Sequence, residues 1–550
     1  MTRLTDDYLW WRDGVIYQIY PRSFQDSNGD GIGDLNGITA RLDYLAGLGV
    51  DALWLSPIYP SPMFDFGYDV SDYEAIDPVF GTLADFDRLL AEAHARGLRV
   101  ILDLVLNHTS HLHPWFVESR SSRDNPKRDW YLWRDPVAPR SGAYAPHSGA
   151  GSPPNNWESV FGGRAWEYDP ATGQYYYHQF LKEQPDLNWR NPAVRARVYQ
   201  VMRFWLDRGV DGFRLDVLHA YFKDDQFRDN PPAIGLRGWD RQQHLYDLDR
   251  PEMADVLREI RGVLDAYPER MAVGEVADFG MAVRYVGPHK MHLAFNFDFL
   301  RQPWLPRAFQ QAVQRYEAAL PAGAWPCYVL GNHDVDRFPT RFGGGPYADA
   351  RTKVAAALLL TLRGTPFVYY GEELGLPNTR IPRDEIQDPP GRRYWPIYGG
   401  RDPERTPMPW DGGPNAGFTT GQPWLRLNAD YARRNVAAQD ADPASVLNFY
   451  RRLLRLRRES PALRRGTFRA LARRPVEALA YLREAPGQTV LVALNFFGWE
   501  NTLKLDSPLP AGAWRVRLST VPGDQARVRG NRVTLAPFEA TLLELEPNSP

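Results

Sequence analysis

The sequence is poor in cysteine and in long apolar runs. Cys327 is the only cysteine among 550 residues, so no intramolecular disulfide can form and a disulfide-stabilised scaffold is excluded. The longest apolar stretch, Val354–Leu362, is far shorter than the ~18 residues that a membrane-spanning helix needs. The first ten residues lack the apolar segment of a secretory signal peptide. We therefore expect a cytoplasmic protein with no membrane partner.

The chain also lacks an excess of charge of either sign. Its 65 Lys and Arg residues nearly balance its 67 Asp and Glu residues, which leaves a net charge of −2. A chain so close to neutral offers no electrostatic surface for nucleic acid or an acidic membrane, so neither is expected as a partner. What is present, 43% hydrophobic and 24% charged residues, is typical of a globular protein with a large core.

Short runs of β-branched and aromatic residues alternate with longer amphipathic stretches along most of the chain. Such alternation indicates parallel strands joined by helices, here expected around Gly37–Leu48 and Leu83–Arg96. The strand candidates are Val15–Tyr20, Ala52–Leu55, Arg99–Val105, Gly212–Val217, Met271–Val276, Leu293–Phe297, Tyr328–Leu330 and Phe367–Tyr370. Eight is the strand count of a closed α/β barrel, so we predict a (β/α)₈ TIM barrel.

Two other segments depart from the barrel pattern. Roughly 80 residues between Asn107 and about Asp186 are rich in Pro, Gly, Asn and Trp, which predicts an irregular subdomain inserted after the third strand. From about Phe468 the residues alternate between apolar and polar, which predicts a C-terminal antiparallel β domain. The predicted organisation is a catalytic barrel over 1–107 and 187–467, an inserted subdomain B over 108–186 and a C-terminal β domain over 468–550.

Ionisable residues cluster where the third, fourth, fifth and seventh predicted strands end. The motifs are Asp103-Leu-Val-Leu-Asn107-His108, Arg214-Leu-Asp216, Gly274-Glu275 and Asn332-His333-Asp334. Barrel active sites lie at the C-terminal ends of the strands. Burying ionisable groups costs free energy, so several of them at this place are expected to have a function. One such motif alone is more often a satisfied polar group of the core. Four of them in order indicate a catalytic site.

Three of these residues suggest acid/base and nucleophilic chemistry. Arg214 and Asp216 are two apart on one strand, so their side chains point to the same face. We expect the guanidinium to hold Asp216 ionised at neutral pH, as a nucleophile requires. Glu275 on the next strand is the candidate partner carboxyl group. Two carboxyl groups roughly 5–5.5 Å apart on either side of a glycosidic bond would retain the anomeric configuration through a covalent intermediate.

These residues carry a family resemblance. The segments Asp103–His108, Gln184–Asn188, Gly212–Asp216, Glu275, Asn332–Asp334 and Gly364–Glu372 resemble the ordered signature regions of the α-amylase family, glycoside hydrolase family 13. The resemblance runs from about Val15 to the C-terminus. Further motifs are similar to those of its α-glucosidase and oligo-1,6-glucosidase branch, namely Tyr17–Phe24, Gly67–Tyr73, Asn155–Phe161 and Arg401–Met408.

The resemblance implies a role for each ionisable residue at the strand ends. Asp216 would be the nucleophile and Glu275 the general acid/base, protonated in the resting enzyme. Asp334 would bind the ring hydroxyls of the sugar in the −1 site, more strongly as the ring flattens towards an oxocarbenium ion. Arg214 would orient the nucleophile, and His333 would donate a hydrogen bond to the same sugar.

The resemblance also implies roles for His108 and for four residues outside those strand ends. His108 would donate a hydrogen bond to the sugar, and Tyr68 and Phe161 would line the −1 site with their rings, with plain loop packing as the rival interpretation. Asp69 and Arg405 would form an ion pair behind the non-reducing glucose and close the cleft into a pocket. Such a pocket would make an exo-acting enzyme on short substrates.

The loop Asp26-Ser-Asn-Gly-Asp-Gly-Ile-Gly-Asp34 alternates oxygen ligands with glycines, as a hard divalent cation requires. An EF-hand would need Glu at its twelfth position, where this chain has Gly37, so that site is excluded. The loop is similar to the single metal site of the same branch. The implied ligands are the side chains of Asp26, Asn28, Asp30 and Asp34 and the carbonyl of Ile32, with Ca²⁺ favoured over Mg²⁺ in a structural role. A polar turn without an ion is the alternative.

The expected function is that of a retaining, exo-acting α-glucosidase that acts on short α-1,4- or α-1,6-linked oligosaccharides. Val217, directly after the nucleophile, resembles the residue of α-1,6-acting members, which does not settle the linkage. The alternatives are a transglucosylase or disaccharide isomerase of the sucrose isomerase or trehalose synthase type and, more remotely, a non-catalytic relative. The sequence does not indicate an oligomeric state.

Overall fold

The computed structural model describes residues 8–138, 151–521 and 527–546. All eight predicted barrel strands are present, each one to three residues shorter than or offset from its prediction except the second, which has the predicted bounds. Their bounds are β1 Ile16–Ile19, β2 Ala52–Leu55, β3 Arg99–Leu104, β4 Gly212–Leu215, β5 Met271–Gly274, β6 Leu293–Ala294, β7 Cys327–Val329 and β8 Thr365–Tyr369. They form one parallel sheet in the order β7-β8-β1-β2-β3-β4-β5-β6. The protein is therefore an α/β protein with a nearly closed (β/α)₈ barrel.

Helices cover the outside of the sheet. Those of the barrel region are Trp10–Asp13, Leu35–Ala40, Leu42–Leu48, Leu83–Ala95, Pro192–Asp207, Met253–Asp265, Phe279–Arg284, Phe297–Leu300, Pro306–Ala319, Phe338–Arg341, Ala348–Thr361, Pro389–Tyr394, Val436–Asp440, Val446–Glu459 and Pro461–Arg465. The longest apolar run of the sequence, Val354–Leu362, begins in the helix Ala348–Thr361, and all helix residues from Val354 onward are buried. No helix in the described residues is long and apolar enough to cross a membrane.

Local sequence explains where two predicted helices begin and end. The helix at Leu83 starts after Thr82, whose hydroxyl accepts from the Asp85 amide while the Asp85 carboxylate accepts from the Thr82 amide. This reciprocal cap satisfies two amides that a helix start leaves unpaired. The helix predicted around Gly37–Leu48 is split in two, because Arg41 leaves the helical conformation with φ −104° and ψ 7°.

Between β3 and β4 the chain forms the predicted insertion. Its described residues contain the short α-helix Pro114–Ser121, a 3-10 turn at Arg128–Trp130, and a three-stranded sheet of Trp133–Arg134, Trp166–Asp169 and Gln174–Tyr177. Its own aromatic core packs Trp157 and Trp166 against Tyr177. The insertion therefore has regular structure that its composition did not predict. Residues 139–150 of the predicted subdomain lie outside the described residues.

The C-terminal part contains the predicted antiparallel β structure. One sheet comprises the strands Thr467–Ala470, Ala478–Ala485, Gln488–Asn495, Trp514–Ser519 and Ala540–Leu545. A second comprises Asn501–Lys504, Arg527–Arg529 and Arg532–Leu535. The predicted domain limits 107/108, 186/187 and 467/468 remain predictions, and part of the last domain lies outside the described residues.

Candidate active site

The interior of the barrel changes from apolar to polar along the strands. Side chains two residues apart on a strand share a face. Each inward-facing residue is therefore followed, two residues later, by another that lies nearer the C-terminal end of the strand. Ile16 and Ala52 are partners in the parallel register, and two residues on Gln18 pairs with Trp54. In the same way Asp103 pairs with Arg214 at the upper level of β3 and β4. The polar level lies at the C-terminal ends of the strands, where barrel active sites form.

Arg214 is the centre of this polar level. Its guanidinium is 1% exposed and contacts three carboxylates. One terminal nitrogen lies 2.9 Å from Asp103 Oδ1 and 2.5 Å from Asp216 Oδ1, and the other lies 2.6 Å from Glu275 Oε2. The predicted nucleophile and the predicted acid/base are thus bound to the two ends of one guanidinium, so their carboxyl groups are neighbours.

Three carboxylates around one cation leave an excess of negative charge. Burial raises the pKa of Asp216 well above its usual range, and Glu275 and Asp103 raise it further against the opposing effect of Arg214. Burial likewise raises the pKa of Asp103 to about 6. Arg214 lowers the pKa of Asp216, as expected, but burial and the two neighbouring carboxylates outweigh it. One guanidinium does not offset the desolvation of three buried carboxylates, and the ionised state of Asp216 at neutral pH stays a prediction.

A chain of hydrogen bonds crosses the barrel mouth from β1 to β3. Gln18 Nε2 lies 2.8 Å from His333 Nδ1, His333 Nε2 lies 2.6 Å from the Tyr68 hydroxyl, and that hydroxyl donates to Asp103 Oδ2 at 3.0 Å. Because the Gln18 amide can only donate through its nitrogen, His333 accepts at Nδ1 and carries its proton on Nε2. Burial lowers the pKa of His333 well below its usual range, so the imidazole is neutral.

Asp334 is held by two arginines from the segment after β8. Arg405 donates to its Oδ1 at 2.7 Å, and Arg401 does so at 3.2 Å. Although burial raises its pKa, His333, Arg401 and Arg405 together hold the pKa of Asp334 below its usual range. Asp334 therefore presents an ionised carboxylate, which can accept hydrogen bonds from sugar hydroxyls.

The predicted ion pair between Asp69 and Arg405 is wrong for the described residues. Asp69 accepts instead from the Ser61 hydroxyl and from the amides of Phe64 and Asp65, so its carboxylate caps its own loop. Burial raises the pKa of Asp69 to about 6. Arg405 contacts Asp334, as described above. Four residues away along the same loop, the Asp65 carboxylate lies 2.7 Å from Arg401 and so joins the arginine network beside Asp334.

Two further predicted residues lie at the edge of this arrangement. His108 is buried, and its Nε2 donates to the carbonyl of Tyr68 at 2.9 Å. Phe161 lies beneath Arg401, whose guanidinium carbon is 5.1 Å from the centre of the ring. The structure thus brings Tyr68, His108, Phe161, Arg214, Asp216, Glu275, His333, Asp334 and Arg405 to the barrel mouth and leaves Asp69 in the loop beside it. Their roles towards a sugar stay predictions.

Sequence reasoning missed five residues of the site. They are Gln18, Trp54, Asp65, Asp388 and Arg401. The sequence did carry a signal for Gln18 and Trp54. Both lie on predicted barrel strands, where a side chain faces either the barrel interior or the surrounding helices, so a polar or bulky aromatic residue there could have been tested as part of the site. Arg401 is the first residue of the motif Arg401–Met408. Nothing in the sequence pairs it with Asp65 and Asp388, since long irregular loops bring the three together.

The loop 26–34 forms a series of side-chain turns. Asp26 Oδ1 accepts from the Asn28 amide, Asn28 Oδ1 from the Asp30 amide and Asp30 Oδ1 from the Ile32 amide, each at 2.8 Å. Asp34 instead caps the helix Leu35–Ala40 through the Gly37 amide and also bonds to Ser27. In the described residues no three His, Cys, Asp or Glu side chains are arranged to hold a metal ion. A cation here would need amide and carbonyl oxygens besides carboxylates, which is the donor set that Ca²⁺ accepts.

Comparisons with known proteins agree with this geometry. Residues 18–466 match the family described as Alpha amylase, catalytic domain. A probable α-glucosidase from Rhizobium meliloti strain 1021 is 48% identical over 90% of this chain and 90% of its own length. An oligo-1,6-glucosidase from Heyndrickxia coagulans is 40% identical over 98% of this chain and 99% of its own.

A solved structure extends the likeness to three dimensions. The α-glucosyl transfer enzyme XgtA superposes with a TM-score of 0.91 and 44% sequence identity, covering 98% of this chain and all of that one. The likeness covers the insertion and the C-terminal β structure as well as the barrel, because coverage is nearly complete on both sides.

Proposed function

This chain belongs to the α-amylase family of glycoside hydrolases, within its α-glucosidase branch, and on that premise we propose that it is a retaining, exo-acting α-glucosidase. It releases α-glucose from the non-reducing ends of short α-linked oligosaccharides and α-glucosides. One observation carries the proposal: Asp216 and Glu275 are bound to opposite ends of the Arg214 guanidinium at the mouth of the barrel. The relatives named α-glucosidase and oligo-1,6-glucosidase support the same substrate class.

The arrangement supports double displacement. Asp216 attacks the anomeric carbon while Glu275 gives its proton to the departing glycosidic oxygen, so one C–O bond breaks and a glycosyl ester forms. Glu275 then takes a proton from water, the water oxygen bonds to the same carbon and the ester bond to Asp216 breaks. Two inversions leave the glucose in the α configuration. Arg214 orients both carboxyl groups throughout, since it contacts each of them.

The ionic network around Asp334 supports exo-action. Arg405 and Arg401 converge on Asp334, and Arg401 also contacts Asp65 and Asp388. Such a wall of charged side chains beside the −1 sugar closes one end of the site and offers hydrogen bonds to the hydroxyls of a terminal glucose. A glucan chain that extends beyond the −1 sugar in both directions is therefore disfavoured. Terminal glucose residues of short substrates fit the site better than internal residues of starch.

The test is a proton NMR time course with isomaltotriose and maltotriose in parallel. Early appearance of the α anomer of glucose from either sugar is the expected result, and the faster sugar gives the linkage preference. Early β-glucose would contradict the double-displacement mechanism. Release of short oligosaccharides without glucose would contradict exo-action and leave retention untouched.

A second candidate is α-glucosyl transfer, which the similarity to XgtA favours. The same glycosyl-enzyme reacts with a sugar hydroxyl instead of water, so the two activities differ only in the acceptor. Product analysis at high substrate concentration separates them. Dominance of a larger oligosaccharide or of an isomeric disaccharide would assign the enzyme to transfer or isomerisation, whereas glucose as the main product supports hydrolysis.

We also propose that the loop 26–34 binds one structural Ca²⁺. Asp26, Asn28 and Asp30 would supply side-chain oxygens and Ile32 its carbonyl oxygen, with Asp34 as a further carboxylate. The successive side-chain turns support this, because they fold the oxygens of positions 26, 28 and 30 into one compact loop. The ion would neutralise the acidic loop and hold it folded. Mg²⁺ suits the loop less well, because it demands octahedral geometry and retains its waters.

The cytoplasmic location stays a proposal of the same kind. The only cysteine, Cys327, is buried, which is compatible with a reducing compartment where structural disulfides are not used. Fractionation of the source cells tests it: activity in the cytosolic fraction is expected, and activity in the medium or periplasm would contradict it.

A further inference from the structure

Lys223 is a buried cation that none of the steps proposed for catalysis uses. All six lysines lie in the described residues, and Lys223 alone is buried, with 2% of its surface exposed. Its ammonium lies 2.8 Å from Asp186 Oδ2, 3.0 Å from Gln179 Oε1 and 3.2 Å from Asn107 Oδ1, and it also donates to the carbonyl of Ala220. These partners come from the end of β3, from the end of the insertion and from the loop that follows β4. Lys223 therefore joins three segments beside the mouth of the barrel.

The charges of Lys223 and Asp186 fix the side-chain amide of Asn107. Asn107 Oδ1 accepts from Lys223, and Asn107 Nδ2 donates to Asp186 Oδ2 at 2.8 Å. The reversed amide would place its NH₂ group against the ammonium and its oxygen against the carboxylate. Only 1% of each charged side chain is exposed, so solvent ions screen these contacts little. One orientation of this amide is therefore compatible with its neighbours.

The amide in turn fixes the tautomer of His108. Asn107 Nδ2 lies 3.2 Å from His108 Nδ1, and because an amide nitrogen can only donate, Nδ1 accepts and Nε2 carries the proton. His108 Nε2 then donates to the Tyr68 carbonyl at 2.9 Å. Gln184 Nε2 also lies 3.1 Å from His108 Nε2, but it donates to the Tyr68 carbonyl and to Asp65 Oδ2. The other tautomer would set a lone pair of Nε2 against the Tyr68 carbonyl oxygen.

Tyr68 connects this buried chain of contacts to the catalytic site. Its carbonyl is held by His108, while its hydroxyl donates to Asp103 Oδ2 at 3.0 Å. Its ring is stacked on the ring of His333, with centroids 5.2 Å apart. Asp103 is one of the three carboxylates around Arg214. A shift of the Tyr68 backbone would therefore move the ring and disturb the polar level of the barrel.

We propose that Lys223 is a positioning residue of the catalytic site. With Asp186 it holds the amide of Asn107. That amide holds the tautomer of His108 and thereby the place of Tyr68. The proposal deepens the proposed function and rests on it, because the Tyr68 ring is expected to line the −1 sugar.

The charges around His108 act in the same sense. Burial lowers its pKa, Asp186, Asp65 and the bond to the Tyr68 carbonyl raise it, and the ammonium of Lys223 lowers it. Loss of Lys223 would leave the buried Asp186 carboxylate near the ring without its cation, which favours the imidazolium. A protonated ring donates from both nitrogens and cannot accept from the neighbouring amide.

NMR of the protein labelled with nitrogen-15 histidine tests the tautomer without reference to activity. The His108 signals are identified by their loss in His108→Gln. We expect the wild type at pH 7 to carry the proton on Nε2. In Asn107→Asp, where an acceptor faces Nδ1, that nitrogen should be protonated, and in Lys223→Met the ring should take up a proton at a higher pH than in the wild type. A wild-type proton on Nδ1, or equal titration of His108 in Lys223→Met and its parent, would overturn the proposal.

Calorimetric binding of 1-deoxynojirimycin, which fills the −1 site, tests the consequence for the catalytic site. The double variant of Lys223→Met and Asp186→Asn leaves no buried charge unpaired, so it is expected to fold. It should bind the inhibitor about tenfold more weakly than the wild type, the equivalent of one lost hydrogen bond. Unchanged affinity would overturn the proposal.

Asp169→Asn is the matched control for a purely structural role. It removes a buried carboxylate of the same insertion, which is paired with Arg120. This variant should lower the unfolding temperature and change neither inhibitor binding nor the His108 signals. Equal weakening of binding in Asp169→Asn and in the double variant would reduce Lys223 to a structural ion pair. If the wild type did not bind the inhibitor, the proposed function would fail, while the NMR result would still decide whether Lys223 sets the tautomer.

Discussion

At the scale of single residues, the polar level of the barrel is defined by a charge imbalance. Arg214 neutralises one charge, and Asp103, Asp216 and Glu275 surround it. The first step of the proposed reaction needs one ionised and one protonated carboxyl group, and Asp216 and Glu275 are the neighbouring pair that would supply them.

Replacing the nucleophile gives the most direct residue-scale prediction. Asp216→Asn should lower kcat for an aryl α-glucoside by at least about a thousandfold, because an amide cannot form the glycosyl ester. The same variant should unfold at the same or a higher temperature than the wild type, since one of three crowded carboxylates loses its charge. Asp384→Asn, at an exposed position, is the matched control. Wild-type turnover in Asp216→Asn would refute the mechanism.

His292 gives a prediction about pH. It is buried beside Trp11 and accepts from the Ala272 amide, and burial lowers its pKa to about 3. Because the unfolded histidine titrates near 6.5, protonation below that pH favours the unfolded chain, and the stability that the neutral ring contributes is lost as pH falls from 6.5 towards 3. Between pH 7.5 and 5.0 the wild type should lose about 2 kcal/mol more stability than His292→Gln.

Urea denaturation of both proteins at pH 7.5 and 5.0 measures that difference. Other titrating groups are common to the two chains and cancel in the comparison. Equal pH dependence of the wild type and His292→Gln would show that His292 takes up its proton in the folded state.

The residues that could be predicted are those at the ends of strands. Asp216, Glu275 and Asp334 follow directly from the barrel rule, because their positions depend only on local strand assignment. The error with Asp69 has a different origin. Asp65 and Asp69 stand in the same loop, and which carboxylate reaches an arginine is decided by a turn in which Phe66 and Gly67 both have positive φ, 48° and 104°. A phenylalanine in that conformation is not expected from sequence.

At the scale of elements, the loop 26–34 carries a testable metal proposal. Addition of Ca²⁺ to the EDTA-treated protein should raise the unfolding temperature. The added free energy of unfolding should be about 2.7 kcal/mol when free Ca²⁺ is a hundredfold above its Kd. Asp30→Asn should reduce the effect, because it removes a carboxylate while the amide oxygen still accepts from Ile32. Asp43→Asn, exposed in the neighbouring helix, is the matched control.

Differential scanning calorimetry reads this out without reference to activity. Mg²⁺ at equal concentration should stabilise the protein less than Ca²⁺. Identical unfolding in EDTA and in Ca²⁺ would reduce the loop to a polar turn held by its own hydrogen bonds.

Strands could be predicted where the hydrophobic pattern of the sequence agrees with their packing. The eight barrel strands are mainly apolar and buried, and so are most positions of Gln488–Asn495 and Ala540–Leu545, whose two faces are both covered rather than one of them being polar. Thr467–Ala470 and Asn501–Lys504 give little signal in the sequence, because they are short edge strands with exposed positions. The sheet of the insertion was missed because Tyr175 and Tyr177 pack against tryptophans from distant segments rather than in a local pattern.

At the scale of the whole molecule, the barrel and the C-terminal β sheet share one core. Tyr481 bonds to Thr361 at 2.5 Å, and the buried Arg483 donates to carbonyls at Gly466 and Thr467. Trp304 donates to the carbonyl of Phe496 at 2.9 Å, and the centroids of their rings lie 4.4 Å apart. The buried side chains on both sides of this contact form a continuous cluster. Two parts joined in this way should unfold together.

Calorimetry of the wild type should therefore show one transition. Trp304→Ala should lower its temperature without splitting it, because removing a large ring from a shared core costs about 3 kcal/mol and weakens both parts at once. Trp499→Ala is the control, since that ring is half exposed and contacts only its neighbour Phe497 among aromatic rings of the described residues. Two transitions, with only one of them moved by Trp304→Ala, would mean that the C-terminal sheet is an independent unit.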